Sequence, residues 1–150
     1  MVKITPLKEN YKEKYLRYTK EQKDNLPSGI FDLDLLPFGA EILICLDESE
    51  NILGVCRTSY TETIAEESLD FVYVTPAFRR DENGTLLVVA VMQRAVNRLI
   101  SRLICDIDIG DEDAAAFLYK LNFCKVEEKN GKIYYRKNLL YMYKTEVNKK

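Results

Sequence analysis

The 150-residue chain contains no histidine. That excludes every catalytic triad, metal site and proton shuttle that depends on an imidazole. Its four cysteines, Cys45, Cys56, Cys105 and Cys124, lie far apart, and none stands in a CxxC pair. Such spacing carries neither a zinc signature nor a disulfide framework, and each cysteine sits in an apolar or alternating stretch, so all are expected as small buried apolar side chains. The longest purely apolar run is the seven residues from Leu86 to Met92, where a membrane span needs about 20. Neither sign of charge dominates: 22 Lys and Arg stand against 24 Asp and Glu, a net of −2. A generic nucleic-acid binder would be strongly basic. The terminal run VNKK is too short to alter that, and the ten tyrosines do not interleave with a basic stripe. The opening residues, MVKITPLKENYKEKY, hold no apolar stretch of signal-peptide type, and a cytoplasmic location is the resulting expectation.

What is present is an ordinary globular composition, 47 % apolar and 31 % charged, with no repeat and no Gly/Ser/Pro-rich linker. Residues 1–150 are therefore expected to form a single domain. Val2–Ile4 reads as a short strand, and Thr5-Pro6 as a helix start with a capping hydroxyl and a first-turn proline. Leu7, Tyr11, Tyr15 and Tyr18 then mark one helix face, running to about Lys23. Asn25–Gly39 reads as irregular or short-helical. Strands are predicted at Glu41–Leu46 and Ile52–Tyr60, joined by a polar turn, and at Leu69–Val74, stopped by Thr75-Pro76. A buried helix is predicted from Thr85 to about Ser101. An alternating strand follows at Leu103–Ile109, then a short helix at Asp111–Leu121 with acidic residues in its first turn. Cys124–Lys129 and Lys132–Lys137 flank an Asn130-Gly131 hairpin turn. The order β-α-β-β-β-α-β-α-β-β predicts a mixed α/β fold, a mixed sheet flanked by helices.

The stretch most suited to chemistry is LDFVYVTPAFRRDENGTLL, Leu69–Leu87. A strand ends at proline, a basic loop follows, and a helix begins. The first amides of such a helix are unpaired, and its dipole favours an anion there. Arg79 and Arg80 add two cations able to hold a phosphate, and Gly84 allows a ligand close to the backbone.

This stretch resembles motif A of the GNAT superfamily of N-acetyltransferases, through Val74, Pro76, Phe78, Arg79, Gly84 and Leu87. A second family signature is matched downstream in DEDAAAFLYKLNF, through Asp111, Ala114, Lys120, Asn122 and Phe123. The resemblance implies the acyl-CoA N-acyltransferase fold and acetyl-CoA as cosubstrate, with no metal. It implies a site between two central strands ending near Val74 and Ile109. It places cofactor contacts at Val72, Val74, Arg79, Arg80, Asn83, Gly84, Thr85, Asp111 and Lys120. An acceptor amine would attack directly in a ternary complex, losing its proton to a carboxylate or a water chain. Asp70 is the first candidate for that base, with Glu67 and Glu66 behind it and more readily read as surface charges.

The chain departs from the family pattern at several positions. Glu82 stands at a loop glycine and Asp111 at an asparagine. Asn122 replaces the glycine before Phe123, a mild change for a left-handed position. The tyrosine that protonates the leaving thiolate falls at Leu118, which leaves Tyr119 as the candidate acid although it is turned by about 100° on a helix. These departures raise an alternative, a catalytically inactive GNAT-like domain serving in binding or regulation. The acceptor is expected to be an amine of a small molecule or protein. The apolar segment Ile133–Tyr143 is a candidate homodimer contact. Neither nucleic acid nor membrane is expected as a partner.

Overall fold

The computed structural model describes residues 1–143, so the terminal run VNKK lies outside the described residues. The chain forms a seven-stranded mixed sheet: β1 (Lys3–Pro6), β2 (Glu41–Leu46), β3 (Ile52–Tyr60), β4 (Glu66–Val74), β5 (Arg102–Asp108), β6 (Cys124–Lys129) and β7 (Lys132–Asn138), in the order β1-β2-β3-β4-β5-β7-β6. Three α-helices join them: α1 (Lys12–Glu21), α2 (Asn83–Asn97) and α3 (Glu112–Lys120). β4 and β5 run parallel, registered from Glu66↔Arg102 to Ser68↔Ile104. The contacts divide into two compact units, Met1–Tyr60 with Asp70–Val91, and Thr61–Leu69 with the chain from Met92 onward.

The core of the first unit is built on the tyrosine spacing of α1. Tyr11, Tyr15 and Tyr18 are buried and pack with Phe31, Ile42, Ile44, Leu46, Val55 and Tyr73. A buried phenol needs a partner. Tyr15 donates to the Phe31 carbonyl and Tyr18 meets the Thr75 hydroxyl at 2.7 Å. Thr5-Pro6 does not start a helix. Both residues end β1, opposite Ile44 and Leu43, and α1 follows only after a 3-10 turn at Glu9–Tyr11. The physical reason is that β1 is an edge strand, where a proline's missing N–H costs no ladder bond.

In β4, Glu67 reaches Arg98 at the end of α2, whereas Asp70 bonds Arg57 and Phe71 packs edge-on against Phe31 in the α1 core.

The second unit is pinned by short-range chemistry. Asp111 caps α3 by accepting from the Ala114 amide at 3.1 Å. Asn122, with φ 63, ends that helix while the Phe123 amide reaches back to Leu118 at 3.0 Å. Asn130 and Gly131 both have positive φ, as a tight hairpin turn demands. β4 begins three residues earlier than predicted because its charges are paired, not solvated. Arg102 lies 2.8 Å from Glu66, and Arg98 binds both oxygens of Glu67 at 3.0 and 2.8 Å. Glu67 is only 1 % exposed, so its reading as a surface charge is corrected. α2 stops at Asn97, four residues before its predicted end. Leu99 turns left-handed there (φ 64) and the Ile100 amide bonds the Ala95 carbonyl, a helix ending that no glycine announces. Among the described residues, no helix is long and apolar enough to cross a membrane, and no cluster of metal-ligating side chains occurs.

Two outcomes are expected. Arg98→Ala leaves the buried Glu67 carboxylate uncompensated and should lower stability by roughly 3 kcal/mol in urea unfolding. The double change Glu67→Leu with Arg98→Met should stay within about 1 kcal/mol of the parent; a large loss there would show that the charges themselves are required. Burial pushes the Cys45 thiol up to about 11 and the Cys105 thiol to about 12, and Cys56 is also buried, while Cys124 is exposed, contrary to the sequence expectation. A disulfide reagent at pH 8 should therefore label Cys124 rapidly and the other three only after denaturation.

Candidate functional site

The chain leaves β4 at Thr75, whose amide still bonds the Leu53 carbonyl at 2.9 Å. Pro76 opens a 3-10 turn running to Asp81, closed at its start by the Phe78 amide on the Thr75 carbonyl at 2.8 Å. Glu82 then adopts a left-handed conformation, φ 60 and ψ 24, and α2 begins at Asn83. The Leu86 amide is bonded to the Glu82 carbonyl at 3.1 Å, the first α-helical bond. The amides of Asn83, Gly84 and Thr85 consequently have no acceptor in their own helix, and together with the helix dipole they form an anion-attracting end.

Three ties hold this junction still. Asn83 is 1 % exposed; its side-chain amide donates to the Phe78 carbonyl at 3.0 Å, and its oxygen faces the Cys45 thiol at 3.9 Å. Its side chain is thus turned inward, leaving only the backbone N–H for a ligand. Arg79 sends its Nε–H back to the Val74 carbonyl at 2.9 Å and lies over the Tyr73 ring, 5.6 Å from the centroid. Tyr73 in turn donates to Gln22, the residue that caps the end of α1, at 2.6 Å. The third tie is the Tyr18–Thr75 contact, with burial pushing the Tyr18 phenol up to about 12. So Arg79 is partly spent on the fold, although it and Arg80 are both exposed. Gly84 and Thr85 are half-buried, and Val74 is buried beside a half-buried Val72.

Asp70 is 11 % exposed at its side chain. One oxygen accepts from Arg57 Nε at 2.9 Å and the other from the Ser59 hydroxyl at 3.0 Å, while Arg57 also donates to the Ile30 carbonyl. Glu66 is likewise engaged, accepting from Thr61 at 2.9 Å besides pairing with Arg102. Each of the three carboxylates considered as a base is therefore already bound by protein donors.

The remaining sequence-named residues lie in the second unit. Asp111 uses its carboxylate as the α3 cap. Leu118, at the position of the family's tyrosine, is buried at 4 % exposure, and Tyr119 is 82 % exposed. Lys120 is exposed in the last turn of α3. A cleft of about 710 Å³ in the first unit runs beside α1, lined by Lys12, Leu16, Lys20, Leu26 and Phe31 among others; none of the residues named from the sequence lines it. The supports that sequence reasoning missed are Tyr18, Gln22, Tyr73 and Thr75. Two of these tyrosines stood out only as apolar faces, and nothing local announced their hydroxyl partners.

The comparisons bear on this geometry. The description "Acetyltransferase (GNAT) family" belongs to the family whose sequence model matches residues 6–123. Among solved structures, a GNAT-family acetyltransferase from Staphylococcus aureus Mu50 is similar, with a TM-score of 0.74, 16 % identity, and 93 % of this chain and 99 % of that chain covered. The PaiA N-acetyltransferase from Thermoplasma acidophilum, solved in complex with coenzyme A, gives 0.74 at 12 % identity, covering 92 % and 99 %. The ribosomal-protein-S18-alanine N-acetyltransferase from Escherichia coli gives 0.73 at 16 % identity, covering 93 % and 94 %. At such identities these are likenesses of fold. No curated protein matches the sequence. The family match spans most of the chain and includes the strand–loop–helix junction just described, so this chain belongs to the GNAT acetyltransferase family.

Proposed function

We propose that the chain, acting as one GNAT domain, transfers an acetyl group from acetyl-CoA to an amine of a small molecule or protein by direct attack in a ternary complex. The observation that supports this most is the junction after β4. It combines three helix-start amides with no intrahelical acceptor, an exposed Arg80, and a loop tied down by Asn83 and Arg79. A pre-ordered donor set of this kind suits a diphosphate because little ordering entropy is left to lose on binding.

In this reading the amides of Asn83, Gly84 and Thr85 hold the diphosphate and Arg80 adds charge from the solvent side. Arg79 contributes the edge of its guanidinium not used on Val74. The backbone of β4 at Val72 and Val74 orients the thioester. Acetyl-CoA supplies an acyl group already activated as a thioester. With both oxygens of Asp70 accepting from Arg57 and Ser59, its role is that of a structural anion, and water takes the acceptor's proton. A thiol pKa near 8.5 makes the thiolate a fair leaving group without an acid, which accords with Leu118 at the tyrosine position and Tyr119 in solvent.

Glu82 supports the second reading, a binding module without turnover. It stands next to the anion end in sequence, and its left-handed backbone costs a side-chain-bearing residue about 1–2 kcal/mol. Calorimetric titration with acetyl-CoA decides between them in combination with thiol release in the presence of amines. Saturable micromolar binding with turnover is expected. Binding without turnover on any amine would favour the binding module, and no heat up to millimolar ligand would overturn both.

Glu82→Gly relieves the strained φ and removes the charge, so it should raise Tm by about 2 °C, net of the glycine's unfolded-state entropy, and bind coenzyme A several-fold more tightly. Glu82→Ala should tighten binding without raising Tm. If neither variant binds more tightly, the carboxylate is directed away from the ligand.

A further inference from the structure

In the second unit, β5 and β7 present two unlike faces. Leu103, Cys105 and Tyr135 are buried on one. The other opens onto a cleft of about 290 Å³, lined among others by Glu66, Arg102, Ile104, Asp106, Tyr134 and Arg136. That volume is at the small end of ligand sites and excludes a nucleotide or a long peptide.

The charges in this cleft are not balanced against one another. Glu66 is spent: its oxygens take Thr61 and Arg102. Arg102 lies 2.8 Å from Glu66 through Nε. Arg136 pairs through its backbone with Ile104 and Cys124, and its side chain makes no ion pair or hydrogen bond with another described residue. Two guanidinium groups thus line one small cleft, and that of Arg136 keeps its donors unspent. Their forked geometry is matched by a carboxylate. Asp106 is 49 % exposed at its side chain and is held only by Lys132 at 3.7 Å, while Lys132 lies closer to Asp108 at 2.7 Å. Ile104 stands opposite Arg136, and Asp106 opposite Tyr134. Arg136 and Asp106 are therefore diagonal neighbours across the strand pair, about 7–8 Å apart at the backbone. Long side chains at that spacing can close on an ammonium and a carboxylate carried by one small molecule, with Ile104 and Tyr134 as an apolar floor.

We infer that this cleft binds an amine that also carries a carboxylate, an amino acid or a close relative. Arg136 and Arg102 hold the carboxylate and Asp106 holds the ammonium. The inference does not depend on the acetyltransferase reading: the cleft meets β4 at Glu66 and Ser68, and its preference for a carboxylate stands on its own geometry.

The test uses the full chain, with the twenty standard amino acids as probes in calorimetric titration. Phenethylamine, tyramine and isoamylamine serve as counterparts of phenylalanine, tyrosine and leucine that lack the carboxylate. At least one amino acid should bind saturably, and tenfold or more tighter than its carboxylate-free counterpart where the panel contains one. Arg136→Gln should weaken that amino acid at least tenfold, and Arg136→Lys by a smaller factor, because the charge remains while the fork is lost. Coenzyme A affinity should be unchanged in both variants. The inference is overturned if no amino acid binds, if the amines bind as well, or if Arg136→Gln has no effect. Coenzyme A binding without amino acid binding sinks the cleft alone.

Discussion

An α-helix cannot satisfy its own first amides, and the site proposed for this protein is built on that constraint. The start of α2 is held so that this deficit falls at a defined place. Asn83, almost wholly buried, fastens the first residue of the helix to the Phe78 carbonyl below it. Arg79 ties the loop to the last residue of β4, and Tyr73 ties Arg79 to α1 through Gln22. Buried hydrogen bonds of this kind each contribute only about 1 kcal/mol net, but losing one partner strands the other at a greater cost. The network therefore acts more as a constraint on geometry than as a reservoir of stability.

Much of the architecture was legible because it follows from local rules. The strands at Glu41–Leu46 and Ile52–Tyr60 have apolar runs bounded by polar turns, and the structure has those bounds. The Asn130-Gly131 turn and the left-handed Asn122 follow from what those residues tolerate. Misreadings arose where a partner distant in sequence decides. Thr5-Pro6 has the signature of a helix start, yet pairing with β2 keeps it in a strand. Glu66 and Glu67 look like loop charges until Arg102 and Arg98 are placed beside them. The end of α2 was invisible because a leucine, not a glycine, takes the left-handed position.

The same limit applies to the site. The loop position of Arg79, Arg80 and Gly84 was readable from the motif, because a strand–proline–basic loop–helix sequence has few structural solutions. The division of labour between the arginines was not, since it depends on the Val74 carbonyl and the Tyr73 ring. Asp70 shows the converse. Its place on the central strand drew attention to it as a base, and the structure surrounds it with Arg57 and Ser59. A buried ion pair of this sort is costly to break and gains little over an apolar replacement.

The account's central claim is that the backbone amides at the start of α2 are the anion site. Amide nitrogen and proton shifts recorded during titration with coenzyme A test it most directly. The account predicts that the largest changes fall on Asn83, Gly84 and Thr85, with the side-chain amide of Asn83 little affected because it is engaged within the protein. Shifts confined to other parts of the chain, with those three amides unmoved at saturation, would contradict it.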